Sequence, residues 1–217
     1  MTSVYDHIPD FGLLYDSVPL YQERKDVDFY VMLARCRAKL AAEPADVRAR
    51  ARVESHDMRD FRLGTKFSLI IAPFRVLQHL TTIDDQLRFL ENVARHLAPQ
   101  GRLIFDVFNP RFDRLVGGGG VELEDTPERR LPDGRTLRRA YRIARVRWLD
   151  QVSESELIYY VDGKRYVQAF EMRWYLTAEL RHLLARAGFH VREMFGDFAR
   201  GPVVDGCPEI IVMADRA

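Results

Sequence analysis

The chain has 217 residues, about one and a half times a domain of ~150 residues, so one domain with an elaboration is expected. Hydrophobic residues make up 47% and charged residues 30%, a globular composition that excludes disorder over most of the chain. Lys+Arg 33 against Asp+Glu 32 leaves a net charge of +1, so no global field draws the protein onto nucleic acid or membrane. Cys36 and Cys207 are too far apart for a redox or metal-ligand spacing, and neither a disulfide framework nor a metal site is expected. No apolar run reaches the ~18 residues of a membrane span. The start carries Asp6, His7 and Asp10 where a signal peptide needs a basic and then an apolar stretch, which predicts a cytoplasmic protein.

In chain order, residues 1–31 hold Tyr5, Phe11, Tyr15, Tyr21, Phe29 and Tyr30 and predict an aromatic helical cap. A helical pattern covers 26–42 and stops at Pro44. Residues 48–54 form a weak strand candidate. The apolar run Phe67-Ser68-Leu69-Ile70-Ile71-Ala72 predicts a strand buried on both faces. An amphipathic helix over 82–97, a Pro99-Gln100-Gly101 turn and a second buried strand from Arg102 to Val107 together predict a parallel α/β sheet.

From 111 to 175 the texture changes to an antiparallel insert or lid. Strands are expected over 136–149, 153–161 and 166–174, with Asp162-Gly163 as a hairpin turn. Thr177 is expected to cap a helix running through Ala187, with Gly188 as its stop. Strands at 190–195 and 209–214 close the chain.

Four strings in this order resemble class I S-adenosylmethionine (SAM) dependent methyltransferases of the small-molecule type. They are His56-Asp57-Met58-Arg59-Asp60-Phe61, the run from Phe67 through Pro73-Phe74-Arg75-Val76-Leu77-Gln78-His79-Leu80, Leu97-Ala98-Pro99-Gln100-Gly101 through Asp106, and Trp174-Tyr175-Leu176-Thr177-Ala178-Glu179-Leu180 through Gly188-Phe189. The resemblance covers nearly all of the chain from Met32 onward. It implies a Rossmann-like sheet and methyl transfer from SAM to a small molecule, without a metal.

It also exposes a gap. The family opens with a strand, a glycine-rich loop, a helix and a second strand ending in an acidic residue that holds the ribose. Here Phe29-Tyr30-Val31 runs directly into Met32-Leu33-Ala34-Arg35, which resembles the helix after that second strand. A βαβ unit needs about 30 residues. The run 117–120 is glycine but precedes no helix, so it does not replace the loop. The expected fold is therefore a single α/β domain over 1–217 with a truncated methyltransferase sheet, lacking its first strand, glycine loop and second strand.

The resemblance assigns Asp57 and Met58 to the adenine and places Ala72 and Phe74 beside the cofactor; the plainer alternative for the first two is a turn residue and a core methionine. His79, whose pKa is ordinarily near neutrality, is the candidate general base. Arg75 and Gln78, at the carboxyl end of a strand where open α/β sheets take ligands, are candidate substrate contacts. Tyr15, Tyr21 and Arg24 are candidate substrate contacts from the cap. Arg138, Arg139, Arg142, Arg145 and Arg147 form the densest basic stretch, which reads as a strand face opposed by Glu154 and Glu156 rather than a nucleic-acid surface.

Without its central strands the sheet leaves the 67–72 strand with an open edge, which predicts pairing with a second copy in a homodimer or higher oligomer. Three functions stay open: a homologue with lost or impaired activity, an active enzyme completed by further residues or a dimer partner, and a non-catalytic binding or scaffold protein.

Overall fold

The computed structural model describes residues 39–117 and 119–217. The elements are α1 (Ala45–Arg50), β1 (Phe67–Ala72), a 3-10 turn (Val76–His79), α2 (Ile83–His96), β2 (Leu97–Phe108), α3 (Phe112–Gly117), β3 (Leu123–Arg130), β4 (Thr136–Arg147), β5 (Val152–Val161), β6 (Lys164–Arg173), α4 (Thr177–Arg186), β7 (Phe189–Phe195) and β8 (Glu209–Arg216). They form two four-stranded sheets, ordered β1-β2-β8-β7 and β3-β4-β5-β6. The chain divides into two compact units, 1–56 with 121–142 and 156–169, and 57–120 with 143–155 and 170–217.

The second unit is built on the first sheet. Alternation along β2 and β8 sends Leu103, Phe105 and Val107, with Ile210, Val212 and Ala214, to one face. There they join Phe89, Leu90 and Val93 of α2 and Leu180 and Leu184 of α4 in one buried core. Helix α2 begins where the Thr82 side chain accepts from the Asp85 amide, as an N-cap should.

The sheet departs from the expected parallel one. Only β1 and β2 run parallel, whereas β8 is antiparallel to both β2 and β7. The apolar run 67–72 is not buried on both faces either. Ile70 and Ala72 turn toward the core, but Leu69 and Ile71 on the other face are 45% and 56% exposed. Among the described residues β1 pairs only with β2 and stands at the edge of its sheet.

The expected 99–101 turn is absorbed into β2. Phe67 pairs with Leu97 but Leu69 with Arg102, so β2 bulges across 98–101. A Cβ on Gly101 would lie 2.8 Å from the Phe67 carbonyl oxygen and 2.9 Å from that of Ala98, so only glycine fits there.

Residues 48–54 are not a strand. Pro44, which lacks an amide proton, precedes a short helix that runs through Arg50, and 51–57 carry no regular structure. The expected helix at 26–42 lies outside the described residues except for its last turn. Helix α4 is capped at Leu176 with no side-chain hydrogen bond, so Thr177 is its first helical residue rather than its cap.

In the first unit a smaller core gathers Leu131, Leu137, Tyr159 and Val161. The Asp162-Gly163 turn forms as expected, with both residues at positive φ (48° and 76°), the geometry of a tight hairpin. The antiparallel sheet has one strand more than expected, β3, whose Thr126 and Arg129 mark register shifts against β4. Those irregularities and Pro127 hide its alternation in the sequence.

Among the described residues no helix is long and apolar enough to cross a membrane, and no group of three or more His, Cys, Asp or Glu is placed to hold a metal. Cys207 is a buried free thiol, and Cys36 lies outside the described residues.

Candidate functional site

The carboxyl end of β1 carries the most heavily constrained turn of the second unit. Pro73 ends the strand, and Phe74 (φ 56°) and Arg75 (φ 63°) both adopt the left-handed conformation. For non-glycine residues this costs roughly 1–2 kcal/mol each, so surrounding groups must hold them there. The Asp106 carboxylate, 2% exposed on β2, accepts from the Phe74 amide at 2.6 Å. The Arg75 guanidinium donates to Glu209 of β8 at 2.5 Å, with Glu209 9% and Arg75 33% exposed along their side chains. Gln78 donates its backbone N–H to the Arg75 carbonyl at 2.9 Å.

The Gln78 side chain is fully buried and spans two more elements. Its amide nitrogen donates to the Arg173 carbonyl at 2.7 Å, and its oxygen accepts from the Phe108 amide at 2.8 Å. Both ends of the amide, expected as a substrate contact, are thus bonded within the protein in this structure. His79 follows, exposed, with its ring centroid 6.3 Å from that of Phe170. Partial burial of the imidazole holds its pKa below the ordinary value, and a backbone hydrogen bond with Glu171 partly opposes that. A neutral imidazole near the surface is the form a general base needs.

Asp57 and Met58 sit in a separate turn closed by the Asp60 amide on the Asp57 carbonyl. Both Asp57 oxygens accept from Arg59, whose Nε lies 3.0 Å from Oδ1 and whose terminal nitrogen lies 2.7 Å from Oδ2. The Arg59 hydrogen bonds pull the Asp57 carboxyl down to about 2. Met58 packs against the core. In this structure Asp57 therefore closes a turn through Arg59 and Met58 packs into the core.

The segment after that turn is pinned to α2 by residues that sequence reasoning did not single out. Asn92, fully buried, donates to the Phe61 carbonyl at 3.0 Å and accepts from its amide at 2.7 Å, in the amide orientation that satisfies both groups. His96 accepts from the Leu63 amide at 3.2 Å through Nε2, while its Nδ1 lies 2.8 Å from the Asn92 carbonyl. A polar residue recurring at i and i+4 on the apolar side of a helix was the available signal.

Ala72 is buried and closes β1 directly before the constrained turn. The structure therefore brings Ala72, Phe74, Arg75, Gln78 and His79 together at one strand end. Tyr15, Tyr21 and Arg24 lie outside the described residues. The glycines at 117, 119 and 120 lead into β3 rather than a helix, and a Cβ on any of them meets no atom within 4 Å. Asp197 accepts from the Ala199 and Gly201 amides within its own loop.

The five arginines of the basic stretch all meet carboxylates. In the first unit Arg138 pairs with Glu124, Arg139 with Asp125 and Arg142 with Glu156. In the second, Arg145 and Arg147 share Glu154, and Arg147 also reaches Asp150 and Glu171.

No family model matches the chain. It is similar to the dTDP-4-amino-2,3,4,6-tetradeoxy-D-glucose N,N-dimethyltransferase of Saccharopolyspora spinosa, 31% identical over 124 residues that make up 53% of this chain and 50% of that protein. The chain thus spans half the length of that curated relative. The CcbJ methyltransferase from Streptomyces caelestis superposes with a TM-score of 0.71 at 22% identity, over 87% of this chain and 72% of that one. SAM-bound CalS10, an amino pentose methyltransferase from Micromonospora echinaspora, does so with a TM-score of 0.61 at 24% identity, over 85% and 70%. The fold is that of the SAM-dependent methyltransferases, and the sequence resembles those acting on amino groups of small molecules.

Proposed function

We propose that this chain is a homologue of small-molecule SAM-dependent methyltransferases that keeps the acceptor half of the site and lacks the cofactor half, so that methyl transfer is lost or impaired. The observation that carries the reading is the edge position of β1. Among the described residues this strand of six uncharged residues has no neighbour on its far side, where the family places further parallel strands, and Leu69 and Ile71, on a face that helices cover in such sheets, stand 45% and 56% exposed. The direct junction of Val31 and Met32, the glycine run that leads into β3 rather than a helix, and the engagement of Asp57 by Arg59 support it.

SAM would supply an electrophilic methyl group to the acceptor's nucleophilic atom. This chain's own contribution is the turn at the end of β1, with His79 as the base and Arg75 beside it. An amino sugar, the substrate class of the similar dimethyltransferase, is the acceptor to try first. The intact turn also favours a second reading, a protein that binds such a ligand without methylating it.

The partner proposed for the open β1 edge is a second copy of the chain, because the strand carries no charge or proline to blunt pairing. Gel filtration is expected to give at least twice the 25.3 kDa chain mass, and a monomer would remove that proposal. Ultraviolet cross-linking with radiolabelled SAM tests the functional reading. No specific label is expected, and label that unlabelled SAM displaces would contradict it.

A further inference from the structure

The turn after β1 is held by more buried polar groups than a surface connection needs. Two successive residues with side chains are kept left-handed, and three polar side chains from β2, β8 and the turn itself, Asp106, Glu209 and Gln78, are spent on keeping them so. Backbone in such a conformation persists where the surroundings over-determine it, typically beside a ligand. The Asp106 contact differs from the others in kind. Of these side chains it alone bonds the backbone of a left-handed residue, the first of the two, and it does so from a residue 2% exposed on an interior strand.

From Phe74 the constraint passes along a short path. The Arg75 carbonyl takes the Gln78 amide, and the Gln78 side chain ties the turn to Phe108 and Arg173. His79 is the next residue. We infer that Asp106 is the positioning residue of this site: by fixing the Phe74 amide it sets the left-handed turn, and through the turn it sets the placement of the His79 imidazole. The inference rests on reading this strand end as the acceptor site. Its test needs no ligand, so failure of that reading leaves the outcome intact.

The experiment is an NMR titration of the His79 imidazole, with hydrogen exchange at the Phe74 amide, in the full chain and in Asp106→Ala and Asp106→Asn. In the unmodified chain the Phe74 amide is expected to exchange slowly. Asp106→Ala is expected to release that amide and to move the His79 midpoint upward, toward the ordinary imidazole value of about 6.5. Asp106→Asn keeps an acceptor oxygen for the amide and is expected to retain both the protection and the midpoint. A folded Ala variant whose His79 midpoint stays at that of the unmodified chain overturns the inference. Should the Ala variant fail to fold, the other two proteins decide. A fast-exchanging Phe74 amide in the unmodified chain, or an Asn variant that loses the His79 midpoint, would overturn it as well.

Discussion

Replacing Asn92 by alanine removes the clamp that holds residue 61, just beyond the Asp57–Asp60 turn, to α2. Both ends of the buried amide bond the Phe61 backbone, at 3.0 and 2.7 Å. Two lost hydrogen bonds at about 1 kcal/mol each, with a further penalty for backbone groups left without partners, give a destabilisation of about 2–4 kcal/mol. Urea unfolding monitored by circular dichroism reads it as a lower midpoint at unchanged slope. Asn92→Asp separates the hydrogen bonds from simple packing. One carboxylate oxygen still accepts from the Phe61 amide, but the other faces the Phe61 carbonyl and favours protonation, so the folded-state pKa is raised. The penalty is then absent below the unfolded carboxylate value of about 3.9 and grows as pH rises to the raised folded value. An Asn92→Ala change within about 0.5 kcal/mol of the parent, the range of ordinary surface substitutions, would refute the clamp.

Three further outcomes follow from the geometry. The Asp57 carboxyl should titrate at about 2, and Arg59→Ala should return it toward 3.8; its contribution to stability is present above the unfolded pKa and is lost as pH falls toward 2, which NMR titration with acid unfolding would check. Burial of His79 makes the unfolded chain bind its proton more readily, so stability should rise with pH through the imidazole range, and His79→Gln should flatten that slope in unfolding midpoints measured between pH 5 and 8. Leu103→Ala, at a fully buried core position, should cost about 2–5 kcal/mol in urea unfolding, whereas Gly196→Ala should destabilise through backbone overlap, its Cβ falling 2.4 Å from the Pro202 carbonyl oxygen.

Features set by local chemistry were legible in the sequence. Asp162-Gly163 supplies the two left-handed residues of a tight hairpin, Thr82 offers an N-cap oxygen before an apolar stripe, and Gly188 ends α4 at φ 78°. Features set by distant partners were not. The apolar run at 67–72 looks the same whether one or both of its faces are covered, and only the sheet order shows Leu69 and Ile71 in solvent. Arg48 through Glu54 alternates weakly enough to suit a strand, yet Pro44 starts a helix that reaches Arg50. At the site, the resemblance located Phe74, Arg75, Gln78 and His79 on one turn. Which of them faces outward depended on Asp106 and Phe108, some 30 residues away, and on Arg173 and Glu209, about a hundred or more away.

The proposal that the cofactor half is incomplete is tested most directly by calorimetric titration of the purified chain with S-adenosylhomocysteine, the product form of the cofactor. The account predicts no binding heat at several temperatures, chosen so that a chance zero of enthalpy does not conceal association. Saturable binding tighter than about 100 μM, or some −5.5 kcal/mol, would contradict it and restore methyl transfer as the working function.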